Sequence, residues 1–295
     1  MSLVINHNLM AMNAARNLSS SYSNLATSVA RLSSGLRVNS AADDAAGLAI
    51  RELMRADIAA LNQGVRNAND AISLIQTADG ALGVIDEKLI RMKELAEQAA
   101  TGTYDSTQRA IIDSEYQQMA SEITRIANAT NFNGIKLLDG SLSGDHDGTT
   151  VNSTGELKIH FGSGNESAED YYYVNIGDST ASALGVGNST GIDKAGHDIS
   201  TQSNAQKALV GINEAIVSKD NIRAHLGALQ NRFENTISNL QIQAENLQAA
   251  ESRISDVDVA LEMTNFVRNQ ILTQAAVAML GQANSLPSMA LSLIG

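Results

Sequence analysis

The chain has no cysteine, no tryptophan and a single proline, Pro287, in 295 residues. Without cysteine there are no disulfides and no thiolate metal sites, whatever the compartment. Aromatic residues are scarce as well, 3% against 43% hydrophobic overall. A core must then be built from Leu, Ile, Val, Met and Ala, which favours long helices packed along narrow seams over a thick globule. No run of 18 apolar residues is available to span a membrane. The first basic residue is Arg16, and no apolar segment with a cleavage site follows it, so no secretory signal is expected. The net charge of −12 makes nucleic acid a poor partner.

Residues 141–200 carry nine acids against Lys158 and Lys194, and ten of the 22 glycines. Residues 269–295, by contrast, contain no charged side chain. The flanks show heptad spacing. In the first segment Ala11, Ala15, Leu18, Tyr22, Leu25, Val29, Leu32 and Leu36 alternate four- and three-residue steps. A second seam runs from Leu61 to Ala99 with a phase slip near Ala78. A third, shorter seam reads Ile112, Tyr116, Met119, Ile123, Ile126. A fourth runs from Ile222 through Phe233 to Leu247, inside a stretch from about Asn204 to Ile254 that can form one long helix. Helices of that length need partners along their whole course. The middle reads differently, because β-forming "LKIHFGSG" (157–164) and "DYYYVNIGD" (170–178) have the bounds of a hairpin, and Asn133-Gly134 signals a turn.

Catalytic and ligand motifs are missing. The five histidines show no metal-ligand spacing, and no nucleophile elbow occurs. "DHDGTT" (145–150) opens like a calcium loop but puts Thr150 where the loop needs glycine, so it reads as a solvated acidic loop. "GVGNSTG" (185–191) misses the dinucleotide spacing. The ends pose an assembly problem instead. Residues 255–295 include Leu261, Phe266, Val267, Ile271, Leu272, Val277 and Leu280, which cover more than one helical stripe. Such a helix wants burial on several sides. Identical neighbours can supply it, and heterologous contacts that do not close give a helical filament. The polymerisation seam is therefore assigned to Leu18, Tyr22, Leu25, Val29, Leu32, Phe266, Ile271 and Leu280.

The stretch "RLSSGLRVNSAADDAAGLAIRE" (31–52) reads as a joint between helices. Gly35 sits where a helix C-terminus needs positive φ. Ser40 then reads as an N-cap, with Asp43 three residues on as a short capping box. Ser255 and Asp258 repeat the device after the long C-terminal helix.

Five stretches carry a family resemblance: "INHNLMAMNAARNL" (5–18), "LSSGLRVNSAADDAAGLAI" (32–50), "NDAISLIQTADGAL" (69–82), "NATNFNGIKLLDG" (128–140) and "AESRISDVDVALEMTNFVRNQILTQAAVAMLGQAN" (250–284). With them the chain resembles the bacterial flagellins end to end except in the middle. Ala42 departs from the lysine usual there. The hook–filament junction (hook-associated) proteins share the terminal helices and are the alternative. They normally lack the Asn-Phe-Asn-Gly segment and the "ILTQAAVAMLGQAN" ending.

The resemblance implies a mainly α fold, in which the N- and C-terminal halves form a long antiparallel coiled-coil rod with a small β-hairpin region from the middle. Residues 1–39 and 255–295 would form the inner tube of a filament with its spoke. Residues 40–140 and 200–254 would form the rod, and 141–199 a short insert with no large outer domain. It implies a secreted, extracellular subunit without enzymatic activity or cofactor. Implied partners are other copies of the chain, an export chaperone, a filament cap and hook–filament junction proteins. Many family members also engage Toll-like receptor 5. "LIRMKELAEQA" (89–99) resembles the receptor patch, with Arg91 and Leu95 at matching positions and Glu115 on the next helix. Ile90 departs from the polar residue usual there.

Overall fold

In the computed structural model of the chain, residues 8–148, 155–167, 169–186 and 198–294 are described. The fold is mainly α. Its helices are α1 (Leu9–Ser34), α2 (Ala45–Ala100), α3 (Ser106–Ala129), α4 (Gln202–Ser255) and α5 (Val259–Ile294). Two antiparallel hairpins stand between α3 and α4: β1 (Asn131–Phe132) with β2 (Ile135–Lys136), and β3 (Leu157–His160) with β4 (Tyr171–Val174). The chain divides into two compact units, residues 1–58 with 245–295, and residues 59–244. The expected layer boundaries at 39/40 and 254/255 lie at the helix breaks, whereas the division between units falls inside α2 and α4.

The second unit holds most of the buried apolar side chains. Ile75, Leu82, Ile85, Leu89 and Met92 of α2 and Ile212, Leu226 and Phe233 of α4 are all buried. Their three- and four-residue steps place them on one stripe of each helix. The two helices run antiparallel, since Arg223 of α4 meets Asp79 at 2.7 Å and Lys219 meets Asp86 at 2.5 Å. Helix α3 folds back along α2, with Arg109 Nε donating to the Ala99 carbonyl at 2.9 Å. Asp105 starts it with a capping box: its carboxylate accepts from the Gln108 N–H, and the Gln108 amide oxygen accepts in return from the Asp105 N–H. The α3 seam buries Ala120 and Ala127 where the sequence predicts Met119 and Ile126. Tyr116 lies fully within this core, and burial pushes its phenol well above the ordinary value.

Asn133 and Gly134, at φ 52° and 83°, form the two-residue turn of the first hairpin. In the second, Leu157 pairs with Val174 and His160 with Tyr171. Gly64 of α2 lets this hairpin dock, because a Cβ there would collide with the Phe161 carbonyl. Asn67 Nδ2 donates to the His160 carbonyl at 2.8 Å. Tyr172 packs on Phe161 and Phe233, with the Arg232 guanidinium 3.5 Å over its ring. Asp170 ties the intervening loop by accepting from the Glu166 and Gly164 N–H groups, which hold its carboxyl below the usual value.

In the first unit α1 and α5 pack antiparallel: Asn8 Nδ2 at the start of α1 donates to the Ala283 carbonyl at 2.7 Å, while Arg31 near its end faces Glu262 at 3.9 Å. The side of α1 turned to α5 is the run of half-buried to buried residues Ala11, Ala14, Leu18, Ser21, Leu25, Ser28 and Leu32. On α5 it is Glu262, Phe266, Asn269, Thr273, Ala276, Leu280 and Ala283. Every second step carries a small or polar side chain, so the backbones can approach closely. Predicted seam residues Ala15, Tyr22 and Val29 point elsewhere and are exposed. Leu18, Leu25 and Leu32 lie on the seam as the heptad predicts, but the alternate member is the smaller Ala14, Ser21 or Ser28 next to the predicted larger residue.

Candidate assembly surface and helix joint

The joint is built from two chain breaks stitched together. Gly35 ends α1 in the left-handed conformation, φ 73°, donating to the Arg31 carbonyl at 2.9 Å. Its own carbonyl accepts from the Val257 N–H at 3.0 Å, and the Arg37 N–H donates to the Ser255 carbonyl at 2.6 Å. Leu36 and Asp256 thereby form an antiparallel bridge. The Arg37 guanidinium adds two hydrogen bonds to the Ile254 carbonyl, at 2.6 and 3.2 Å. A nearly buried Arg51 reaches back from α2 to the Val38 carbonyl at 2.9 Å. The break between α1 and α2 is thus hydrogen-bonded to the break between α4 and α5.

The caps differ from those predicted. Ser40 does not start α2. It opens a turn whose Asp43 carboxylate accepts from the Ser40 N–H and hydroxyl, both at 3.0 Å, and these donors hold that carboxyl below its ordinary value. Asp44 is the cap, accepting from the Gly47 N–H at 2.8 Å. A Cβ on Gly47 would strike the Asp44 carboxylate in this position. Ser255 likewise closes α4 instead of opening α5, and is buried with its hydroxyl on Glu251 and Asp256. Asp258 caps α5 through the Leu261 N–H at 3.0 Å. In both joints serine and aspartate crowd together, Ser40, Asp43 and Asp44 in one and Ser255, Asp256 and Asp258 in the other, and the true cap is the acid nearest the helix. Arg37 and Arg51, absent from the sequence reading, have no pattern that marks them, since each binds a carbonyl through tertiary placement.

The second feature is what the α1–α5 pair leaves uncovered. Of the apolar side chains described in the first unit, only Val38 and Ala283 are buried. Tyr22 is 65% exposed and Val29 48%. On α5, Leu261, Val267, Ile271, Leu272, Val277 and Met279 are all exposed, Ile271 by 59%. Leu18, Leu25, Leu32, Phe266 and Leu280 are half-buried, their places lying on the seam between α1 and α5. A groove of about 580 Å³ runs between the helices, lined among others by Met10, Ala14, Ser21, Leu272 and Met279. Burying one such aliphatic side chain completely is worth about 1.5–3 kcal/mol. A seam in which small or polar residues alternate with leucines, beside so many large apolar side chains left outside, is not that of a self-sufficient helical pair.

The receptor-patch candidates separate. Arg91 is held by Glu115 of α3 at 2.7 Å and Glu94 at 2.9 Å, and these carboxylates raise its pKa further. Glu115 is exposed beside it. Leu95 is 2% exposed and is therefore a core residue, not a surface contact. Here α2 serves both α3 and α4, so its buried stripe widens to include Leu95 next to Ala96.

Among the described residues no group of three or more His, Asp or Glu side chains could hold a metal ion, and no helix is long and apolar enough to cross a membrane. His146 engages the Glu156 carbonyl through Nδ1 at 2.7 Å, while residues 149–154 of that acidic loop lie outside the described residues.

Antiparallel seams, a stitched joint and open apolar terminal helices together describe a helical assembly protein. Family comparison gives the same class: the bacterial flagellin N-terminal helical region matches residues 5–143 and the C-terminal helical region residues 209–294. The flagellin of Halalkalibacterium halodurans is 44% identical over 292 residues, covering 99% of this chain and all of that protein. A Bacillus subtilis flagellin is 44% identical over 306 residues, covering 98% of this chain and 99% of its own length. The flagellar filament 33 kDa core protein of Treponema phagedenis is 42% identical over 292 residues, covering 99% of this chain and all of that protein. The crystal structure of Bacillus cereus flagellin, 31% identical, covers 63% of this chain and 94% of its own with a TM-score of 0.47. The chain belongs to the bacterial flagellin family, whose members are structural subunits of the extracellular flagellar filament.

Proposed function

We propose that this chain polymerises into the filament through the outward apolar faces of α1 and α5, which form its inner tube, while α2, α3 and α4 form the surrounding layer. The carrying observation is the number of large apolar side chains the terminal pair leaves exposed, Tyr22, Val29, Ile271 and Val277 among them, while Ser21, Ser28, Thr273 and Ala276 share its seam with Leu18, Leu25 and Leu32. An unfolded subunit passes through the flagellar type III export apparatus, escorted by a chaperone and placed between hook–filament junction proteins and a filament cap. The absence of cysteine suits a chain that travels unfolded and folds outside the cell. Removing residues 1–35, or the last 35, should leave a soluble folded helical fragment that forms no filaments in negative stain. Filaments from either fragment would overturn this reading.

The exposed Arg91–Glu115 pair supports recognition by Toll-like receptor 5, since a guanidinium fixed by two carboxylates is a preorganised polar contact. Leu95 would act only from beneath, by packing. Arg91→Ala should lower receptor activation by the purified protein; unchanged activation removes the assignment.

A further inference from the structure

Lys219 is the only buried charged side chain of the second unit among the described residues. It occupies an α4 seam position between buried Ala215 and Leu226, at 2% exposure. Its ammonium lies 2.5 Å from the Asp86 carboxylate of α2 and 2.7 Å from Asp220 on its own helix. One turn further, Arg223 makes a two-pronged contact with Asp79, at 2.7 and 3.2 Å. The acids are seven residues apart on α2 and the cations four apart on α4, which fits two antiparallel helices side by side.

We propose that the buried Lys219–Asp86 pair, seconded by Arg223–Asp79, is a register lock that fixes where α4 sits along α2. The apolar seam does not do this alone. Ile75, Leu82, Leu89 and Ala96 recur at seven-residue intervals and are all buried. Sliding α4 by one heptad, about 10 Å, sets apolar residues against apolar residues again. The charges are not degenerate. A slip in one direction brings Lys219 level with Lys93, a like charge. The opposite slip gives Lys219 the Asp79 carboxylate but leaves Arg223 level with Ile72, with no acid to meet. In the first slip Lys219 keeps only Asp220 of its own helix and faces a like charge, which is strongly unfavourable for so buried a cation; in the second the partly exposed Arg223 loses its acid, at a smaller cost. A single polar group in an apolar heptad can set register in this way, at some cost in stability. Through the lock the buried α2 positions Ile75, Ala78, Leu82, Ile85 and Leu89 keep unbroken three- and four-residue steps, without the phase slip the sequence predicts near Ala78, so the apolar pattern there offers no register mark of its own.

The cysteine-free chain allows a direct test. Cysteine placed at Ala215, four residues before Lys219, is paired in turn with cysteine at Leu89, three residues after Asp86 and thus the seam position that the ion pair sets nearest to it, or at Leu82 or Ala96, one heptad to either side. All four positions are fully buried. In the otherwise unchanged full chain, oxidation should give the 89–215 disulfide and neither slipped product. With Lys219→Met, which keeps the volume and removes the charge, the 82–215 or 96–215 disulfide should appear as a second product while helix content is retained. Exclusive 89–215 cross-linking in folded Lys219→Met overturns the proposal, because packing alone would then fix the register. Should Lys219→Met fail to fold, Asp86→Asn carries the same test from a partly exposed position. Slipped disulfides in that variant support the lock, and exclusive native cross-linking overturns it.

Discussion

Replacing Gly64 by alanine should destabilise the second unit, while the same change at Gly80 in the same helix should stabilise it. Alanine gains about 1 kcal/mol over glycine inside a helix. At Gly80 nothing lies within 4 Å of the new Cβ, so that gain is kept. At Gly64 the Cβ would stand 2.7 Å from the Phe161 carbonyl carbon and 3.0 Å from its Cα, both backbone atoms that no rotamer change can move. The hairpin must retreat. That loosens the Asn67–His160 hydrogen bond, worth about 1 kcal/mol, and opens the buried contact of Phe161, worth about 2 kcal/mol. After the helical gain the net loss is about 2 kcal/mol. At about 2–4 °C per kcal/mol for a unit of this size, Gly64→Ala should lower Tm by ~4–8 °C and Gly80→Ala raise it by ~2–4 °C. Thermal unfolding followed by far-ultraviolet circular dichroism measures both. The near-ultraviolet signal weights the hairpin, since Tyr171, Tyr172 and Tyr173 are half of the six tyrosines and the chain has no tryptophan. A Gly64→Ala protein as stabilised as Gly80→Ala would refute the docking of the hairpin on α2.

Three further changes test separate parts of the structure. Asp44→Ala should cost about 1 kcal/mol through loss of the α2 cap, whereas Ser40→Ala should cost less; equal effects in a denaturant titration would return the cap to Ser40. Tyr116→Phe should be neutral or stabilising by up to about 1 kcal/mol, because the buried Tyr116 hydroxyl has no hydrogen-bond partner; a loss of more than that in the same titration would show that the hydroxyl is satisfied. Deleting residues 145–155 should leave folding and filament yield unchanged, since Glu156 N–H already donates to the Gly144 carbonyl at 2.8 Å and the cut ends are adjacent; failed assembly in negative stain would make the acidic loop structural.

The sequence was most legible where large apolar side chains do the packing. In α2 and α4 the predicted steps through Leu82, Ile85, Leu89, Leu226 and Phe233 are the buried ones, because the largest side chains lie between the helices. The β3–β4 hairpin was legible for a related reason: β-forming runs bounded by glycine leave few alternatives. In α1 the same rule selects Tyr22 and Val29, which are exposed, because between its leucines this seam uses Ser21 and Ser28 and leaves those two bulky residues outside. A heptad list cannot tell a face that meets its own chain from one that remains open. The caps were misplaced by three or four positions because Ser40, Asp43 and Asp44 all offer side-chain acceptors, and tertiary hydrogen bonds from Arg37 and Arg51 help decide where the helices resume. Leu95, placed at the receptor patch by resemblance alone, is core because α2 has two neighbours there.

The exposed apolar face of the α1–α5 pair, as the contact between copies, is tested most directly by one substitution in the full-length chain. Ile271→Lys leaves the intramolecular seam untouched, since Ile271 is 59% exposed, but would bury an unpaired ammonium at every subunit contact, costing several kcal/mol each time. Pelleting and negative-stain microscopy under conditions where the unmodified chain polymerises should find Ile271→Lys monomeric, with its helix content and Tm unchanged. Filaments of ordinary yield and length from Ile271→Lys would contradict the account.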